Sequence, residues 1–150
     1  MPAKSTATAE RPGLPIGVLA RRAGVKVPTI RYYEQIGLMP PAPRSGSNRR
    51  LYGPEDVQRL AFIRHGRDLG FEIEEIRQLI ALAGEPGQPC DGADAIARRH
   101  LADIDAKIAR LTAMRGEIAR IVNNISHGAI DTCRVIEVLA DHDQCLQERH

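Results

Sequence analysis

Apolar residues recur at helical spacing in four short segments, then a Pro/Gly-rich break, then one long segment. Ile16, Val18, Leu19 and Ala23 share a helical face, and the run stops at Gly24. A second helix opens between Lys26 and Thr29. Its period turns Ile30 and Tyr33 toward a core and Thr29, Arg31 and Tyr32 outward. After Gly37-Leu38 a Pro-, Gly- and Ser-containing stretch leads to Asn48-Arg49-Arg50-Leu51-Tyr52, which reads as a small β-wing with a basic tip. Pro54-Glu55-Asp56 starts a third helix, with Pro in the first turn and two acids at the positive end of the dipole. Val57, Leu60, Ala61 and Ile63 carry its period, and Gly70 stops it. A fourth helix runs from about Glu72 to Leu82, with Ile73, Ile76, Leu79 and Ile80 on one face.

Two short helices joined by a Gly-containing turn, followed by a basic wing, form a winged helix-turn-helix pattern that reads duplex DNA through its second helix. Residues 83–92, AGEPGQPCDG, form a linker, and beyond them the pattern changes. Leu101, Ile104, Ile108, Leu111, Met114, Ile118, Ile121 and Ile125 repeat in steps of three and four, a coiled-coil seam with one phase slip at Leu111–Met114. No second long helix exists to cover that seam, which predicts dimerisation. The fold class is mainly α. The expected organisation is a disordered leader over 1–13, the winged helix-turn-helix over 14–83, a linker over 84–92, a dimerisation helix over 93–125, and an effector-binding loop and tail over 126–150.

Composition sharpens this picture. Aromatics are 3% of the chain and Trp is absent, so Leu, Ile and Ala must supply the packing, which favours helices. The net charge of +2 hides an asymmetry: residues 1–84 carry 13 basic and 8 acidic side chains, residues 85–150 carry 8 and 11. The basic half suits phosphates and the acidic half suits a sensor region. No apolar run approaches the roughly 18 residues of a membrane span, and the first dozen residues lack the apolar core of a secretion signal. Three widely spaced cysteines without an export signal point to a reducing cytoplasm and to metal or redox chemistry.

Candidate DNA contacts follow from residue type. Lys26 and Arg31 lie on or beside the recognition helix, and Arg suits bidentate contact with guanine or phosphate. Arg49 and Arg50 at the wing tip suit phosphate or the minor groove. Thr29, Tyr32 and Tyr52 can hydrogen-bond phosphate, while Tyr33 belongs to the core.

The segments IGVLARRAGVKVPTIRYYEQIGL, NRRLY and RLAFIRHGRDLGFEIEEIRQLI, followed by a long helix, closely resemble the MerR family of bacterial transcription regulators. The resemblance covers residues 15 to about 140. It implies a homodimer with an antiparallel coiled coil on a pseudo-palindromic operator in an overlong promoter spacer. The dimer would activate transcription by distorting that DNA so that RNA polymerase engages both promoter elements. Arg31 and Tyr32 match the family's recognition-helix positions and Arg50 its wing arginine, whereas Arg49 replaces the usual wing tyrosine.

In an antiparallel dimer, Cys90 of one subunit approaches Cys133 of the other, and the two can share a metal. A Cys before the dimer helix resembles the mark of divalent-metal sensors (Zn, Cd, Pb, Hg or Co), and Cys133 resembles their second loop Cys. Their first loop Cys is replaced here by Ile125-Ser126. Two thiolates alone suit linear Hg(II) or Cu(I) better than tetrahedral Zn. His127, Asp131, His142 and Cys145 are candidates to complete the site. The alternative trigger is redox, a Cys90–Cys133 disulfide across the dimer. A small organic effector is disfavoured by the short tail. An enzyme is disfavoured because no Gly-rich phosphate loop, HExxH or Ser/His/Asp arrangement is visible.

Overall fold

The computed structural model describes residues 13–44, 46, 50–124, 128–141 and 143, and divides into two units, Met1–Gln88 and Pro89–His150. The leader therefore lies outside the described residues, save Gly13. The first unit holds α1 (Ile16–Ala23), α2 (Val27–Gln35), α3 (Pro54–Asp68) and α4 (Ile73–Ala83). The second holds α5 (Asp91–Asn123), a 3-10 turn (Ile130–Thr132) and α6 (Arg134–Ala140). Among the described residues no helix is long and apolar enough to cross a membrane.

Local chemistry sets these boundaries. Gly24 terminates α1 at φ 64°, a left-handed conformation that Gly adopts without the Cβ penalty. A Cβ there would also meet the Arg64 guanidinium, which reaches in from α3 and donates to the last carbonyl of α1, Ala23 O, at 3.4 Å. Pro28 occupies the first turn of α2, where its missing N–H costs no intrahelical bond. Asp56 accepts the Gly53 N–H at 2.8 Å at the start of α3, and Glu75 accepts the Glu72 N–H at 2.8 Å at the start of α4. Each carboxylate satisfies a donor that no helical carbonyl can reach.

The core of the first unit is continuous. Leu19 and Ala23 from α1, Ile30 and Tyr33 from α2, Leu60 and Ile63 from α3, and Ile76 from α4 close around Leu38, Met39 and Tyr52. Two cations then fix the exit of α2. Arg77 donates from α4 to Ile36 O at 2.8 Å, and Arg59 donates from α3 to Leu38 O at 2.9 Å. Helix α2 is thus held at its buried face by packing and at its C-terminal end by charge-assisted bonds.

The wing differs in form from the expected β-element. Among the described residues it consists of isolated antiparallel bridges, Leu14–Tyr52 and Arg44–Arg50, with no strand. Pro40, Pro41 and Pro43 explain this, because a proline contributes no N–H to a ladder. What remains is anchored: Leu14 and Tyr52 exchange both backbone bonds, at 2.7 and 2.9 Å, and Leu51 N–H donates to Pro43 O at 2.9 Å.

In the second unit α5 runs 33 residues, about 50 Å at 1.5 Å per residue. It starts at Asp91, two residues before the sequence expectation, and Cys90 is its N-cap residue. Leu101, Ile108, Leu111, Met114, Ile118 and Val122 are all exposed along it. Ile121 departs from the expected seam. It is 4% exposed and buried together with Val138, where α6 packs on α5. Val122 takes its place on the exposed stripe, and Ile125 lies outside the described residues. His100 is buried and His65 is exposed.

Candidate nucleic-acid interface and thiol pair

A groove of about 670 Å³ separates the outer face of α2 from the wing, lined by Arg31, Arg44 and Arg50 with Glu34 between them. Helical spacing puts Arg31 and Glu34 on one side of α2, since residues three apart are neighbours. The Arg44–Arg50 bridge pairs the other two cations directly across an antiparallel contact, which places their side chains on the same face. Three guanidinium groups around one concave surface concentrate positive potential where a phosphate backbone would lie.

Glu34 organises the wall of that groove. Arg50 Nη1 donates to its Oε2 at 2.6 Å, and the Tyr52 hydroxyl donates to its Oε1 at 2.5 Å. The Glu34 side chain is only 9% exposed against 39% for Arg50. Burial pushes the Tyr52 hydroxyl up to a pKa of about 12, helped by its hydrogen bond to Glu34 and the charge there, and opposed by Arg50.

The sequence-derived candidates distribute unevenly over this site. Lys26, Arg31 and Tyr32 are exposed on and beside α2, and Thr29 is half-buried there. Arg50 is half-buried in the groove wall, and Arg49 lies outside the described residues. Tyr52 corrects the expectation of a phosphate contact. At 1% exposure, with its hydroxyl committed to Glu34, it has no face left for DNA. Glu34 and Arg44 were not among the candidates. Glu34 carried one signal, its place three residues after Arg31 on the helix, whereas Arg44 depends on a bridge that sequence spacing does not show.

The thiols occupy helix starts. Cys90 is exposed at the N-cap of α5, and Cys133 is half-buried at the N-cap of α6. Chain geometry keeps them apart within one protomer. The helix between them spans about 50 Å, and the link from its end to Cys133 can return at most about 36 Å, leaving about 14 Å or more. Among the described residues no three His, Cys, Asp or Glu side chains converge as a metal would require. His127, His142 and Cys145 lie outside the described residues.

Known proteins bear out the pattern. The MerR, DNA binding family model matches residues 57–121, and the MerR HTH family regulatory protein model matches residues 14–82. The chain is 38% identical over 125 residues to the HTH-type transcriptional regulator HmrR of Sinorhizobium medicae, covering 83% of this chain and 85% of that one. It is 37% identical over 126 residues to heavy metal-dependent transcription regulator 2 of Rhizobium meliloti, covering 84% and 86%. Among solved structures, that of the transcription regulator PbrR691 from Ralstonia metallidurans in complex with lead(II) superposes with a TM-score of 0.76 at 33% identity, covering 84% of this chain and 98% of that one. With its winged helix-turn-helix, long helix and these relatives, the chain belongs to the MerR family of DNA-binding, helix-turn-helix transcription regulators.

Proposed function

We propose that the protein regulates a promoter as a homodimer whose trigger is a metal ion shared between subunits. The observation that carries this reading is the exposed apolar stripe on α5, with Cys90 at the start of that helix and Cys133 at the start of α6, ten residues past its end. A stripe of large apolar side chains on a long helix needs a partner. A second α5, antiparallel, has the same length and the same pattern. Antiparallel pairing sets Cys90 of one subunit beside Cys133 of the partner subunit, two sulfurs that cannot meet within one chain.

The donor set fits a soft metal ion. Thiolates select such ions, and two alone favour linear coordination as with Hg(II). Tetrahedral Zn or Cd would need further donors, for which His127, His142 and Cys145 are the candidates. The relatives support this trigger: one is named as heavy metal-dependent, and another was solved with lead(II). When bound, the ion would tie the start of one α5 to the α6 start of the other subunit.

On the DNA side, α2 enters the major groove with Lys26, Thr29, Arg31 and Tyr32, while Arg49 and Arg50 of the wing meet the backbone. The dimer binds double-stranded promoter DNA with an overlong spacer and distorts it for RNA polymerase, which places the protein in the cytoplasm. Such deformation costs about 1–6 kcal/mol, offset by the phosphate contacts of two arginine-lined grooves.

Titration of the reduced protein with Hg(II), Cd(II) or Co(II) tests the trigger. A thiolate-to-metal charge-transfer band is expected, and Cys133→Ser should abolish it. Reversible oxidant cross-linking of Cys90 to Cys133, without any such band, would replace the metal reading with a thiol switch.

A further inference from the structure

We propose that Glu34 is a positioning residue for DNA binding: its carboxylate holds the wing arginine Arg50 against the recognition helix, ready to meet a phosphate. The proposal rests on the reading of the groove as the DNA surface.

An acid in a phosphate-binding groove is at first sight a defect, since it repels the ligand. Glu34 is placed so that the repulsion is muted. Its side chain is 9% exposed and both oxygens are engaged, one by Arg50 at 2.6 Å and one by Tyr52 at 2.5 Å. Tyr52 is itself fixed, at 1% exposure and with both backbone bonds to Leu14. A continuous chain of contacts therefore runs from the core through Tyr52 and Glu34 to Arg50. The guanidinium has five donors in a planar fork, and the bond to Glu34 uses one nitrogen. Its 39% exposure leaves the remainder toward the groove.

Without this tether Arg50 would swing freely beside Arg44, a like charge directly across the bridge. Its ordering would then be charged to DNA binding. Holding it in place beforehand removes that cost. Arg31, by contrast, has no ion-pair partner among the described residues and is exposed. The two arginines thus differ in kind: one is free to adapt to a base edge, the other is preset for the backbone.

The two possible roles of Glu34 predict opposite signs. If it only adds negative charge, Glu34→Gln tightens DNA binding. If it positions Arg50, the same change weakens binding although a repulsive charge is gone.

The test is fluorescence anisotropy of the full-length protein on a mixed-sequence duplex over a series of salt concentrations, with Glu34→Gln, Glu34→Asp, Arg50→Ala and the Glu34→Gln/Arg50→Ala pair. Glu34→Gln is expected to weaken binding about five- to tenfold, and to flatten the log–log salt dependence by about 0.9 per arginine displaced. Glu34→Asp keeps the charge but withdraws the carboxylate by one methylene, so it should weaken binding too. In the Arg50→Ala background Glu34→Gln should cost nothing further. Binding by Glu34→Gln as tight as wild type or tighter, with the salt slope unchanged, overturns the proposal. So does an equal loss with and without Arg50. If Arg50→Ala leaves affinity and slope untouched, the DNA reading of the groove fails, and the role of Glu34 with it. Far-UV circular dichroism melts separate these effects from unfolding, and Glu34→Asp carries the test should Glu34→Gln melt early.

Discussion

Leu111→Ala tests the dimer seam with little else disturbed. Leu111 is 62% exposed on α5, and alanine is the best helix former, so the substitution costs the isolated helix nothing in propensity. Its whole effect should come from lost burial against a second copy. Removing the outer carbons of leucine forfeits about 2.4 kcal/mol when burial is complete, at about 0.8 kcal/mol per carbon. The single chain exposes 62% of the residue, so about 1.5 kcal/mol per copy is available at the interface. Both protomers carry the change, giving about 3 kcal/mol, or roughly a hundredfold in the dimer dissociation constant.

Sedimentation velocity over a dilution series reads that constant directly. Arg98→Ala serves as the control. Its partner is Asp94 at 2.7 Å on an exposed surface, and such pairs contribute about 0–1 kcal/mol. A dimer constant unmoved by Leu111→Ala, or moved equally by Arg98→Ala, would refute the seam. A wild-type protein that sediments as a monomer at every concentration would refute it outright.

Arg31→Ala should abolish sequence-specific retardation of the operator, a loss of about 1–3 kcal/mol of discrimination, while weaker sequence-independent binding persists; unchanged retardation would remove α2 as the recognition helix. Ile76→Ala should destabilise the first unit by about 2–5 kcal/mol in urea unfolding, because Ile76 is fully buried and sits directly beneath Gly66, where even an added Cβ would lie 3.1 Å from it. Tyr52 gives a pH signature. Its folded pKa is raised from 10.0 to about 12, so the unfolded chain loses that proton first, and this part of the stability is intact below pH 10 and drains away as pH rises toward 12. The step should amount to about 2–3 kcal/mol. Tyr52→Phe should flatten it relative to wild type, and equal alkaline slopes for the two proteins would show that Tyr52 is not its source.

The helices of the first unit were legible because each boundary has a local cause. Gly24 supplies the left-handed stop, Pro54 the first turn, and the apolar period names Leu19, Ile30, Leu60, Ile63 and Ile76 as core before any contact is known. What escaped is set by pairing at a distance. The fate of the Tyr52 hydroxyl depends on Glu34, 18 positions away on another element. The wing reads as a β-element from its arginines and tyrosine, yet prolines on the opposing limb withhold the donors a ladder needs. Ile121 and Val122 compete for one seam position, and only the docking of α6 decides between them. The cysteines were visible as candidates, but their separation along a rigid helix matters only once the helix length is fixed. The extra donors expected at His127, His142 and Cys145 lie outside the described residues.

These two features, the seam and the thiols, are energetically one system if the proposed dimer forms. Of the 33 residues of α5, Ile96, His100, Glu117 and Ile121 are the buried ones. A helix of that length draws most of its stability from packing, so most of what holds α5 in the assembly must come from its partner. A metal bridging Cys90 to Cys133 of the partner subunit crosses the same contact. Its affinity then includes the free energy of association, and linkage makes the effect reciprocal. Saturating metal at a hundred times its dissociation constant would strengthen the dimer by about 2.7 kcal/mol per site, and the dimer has two such sites. Weakening the seam must weaken apparent metal affinity wherever the protomer concentration falls below the dimer dissociation constant. Leu111→Ala, a residue that touches no sulfur, should therefore blunt the metal response of dilute protein and leave that of concentrated protein intact.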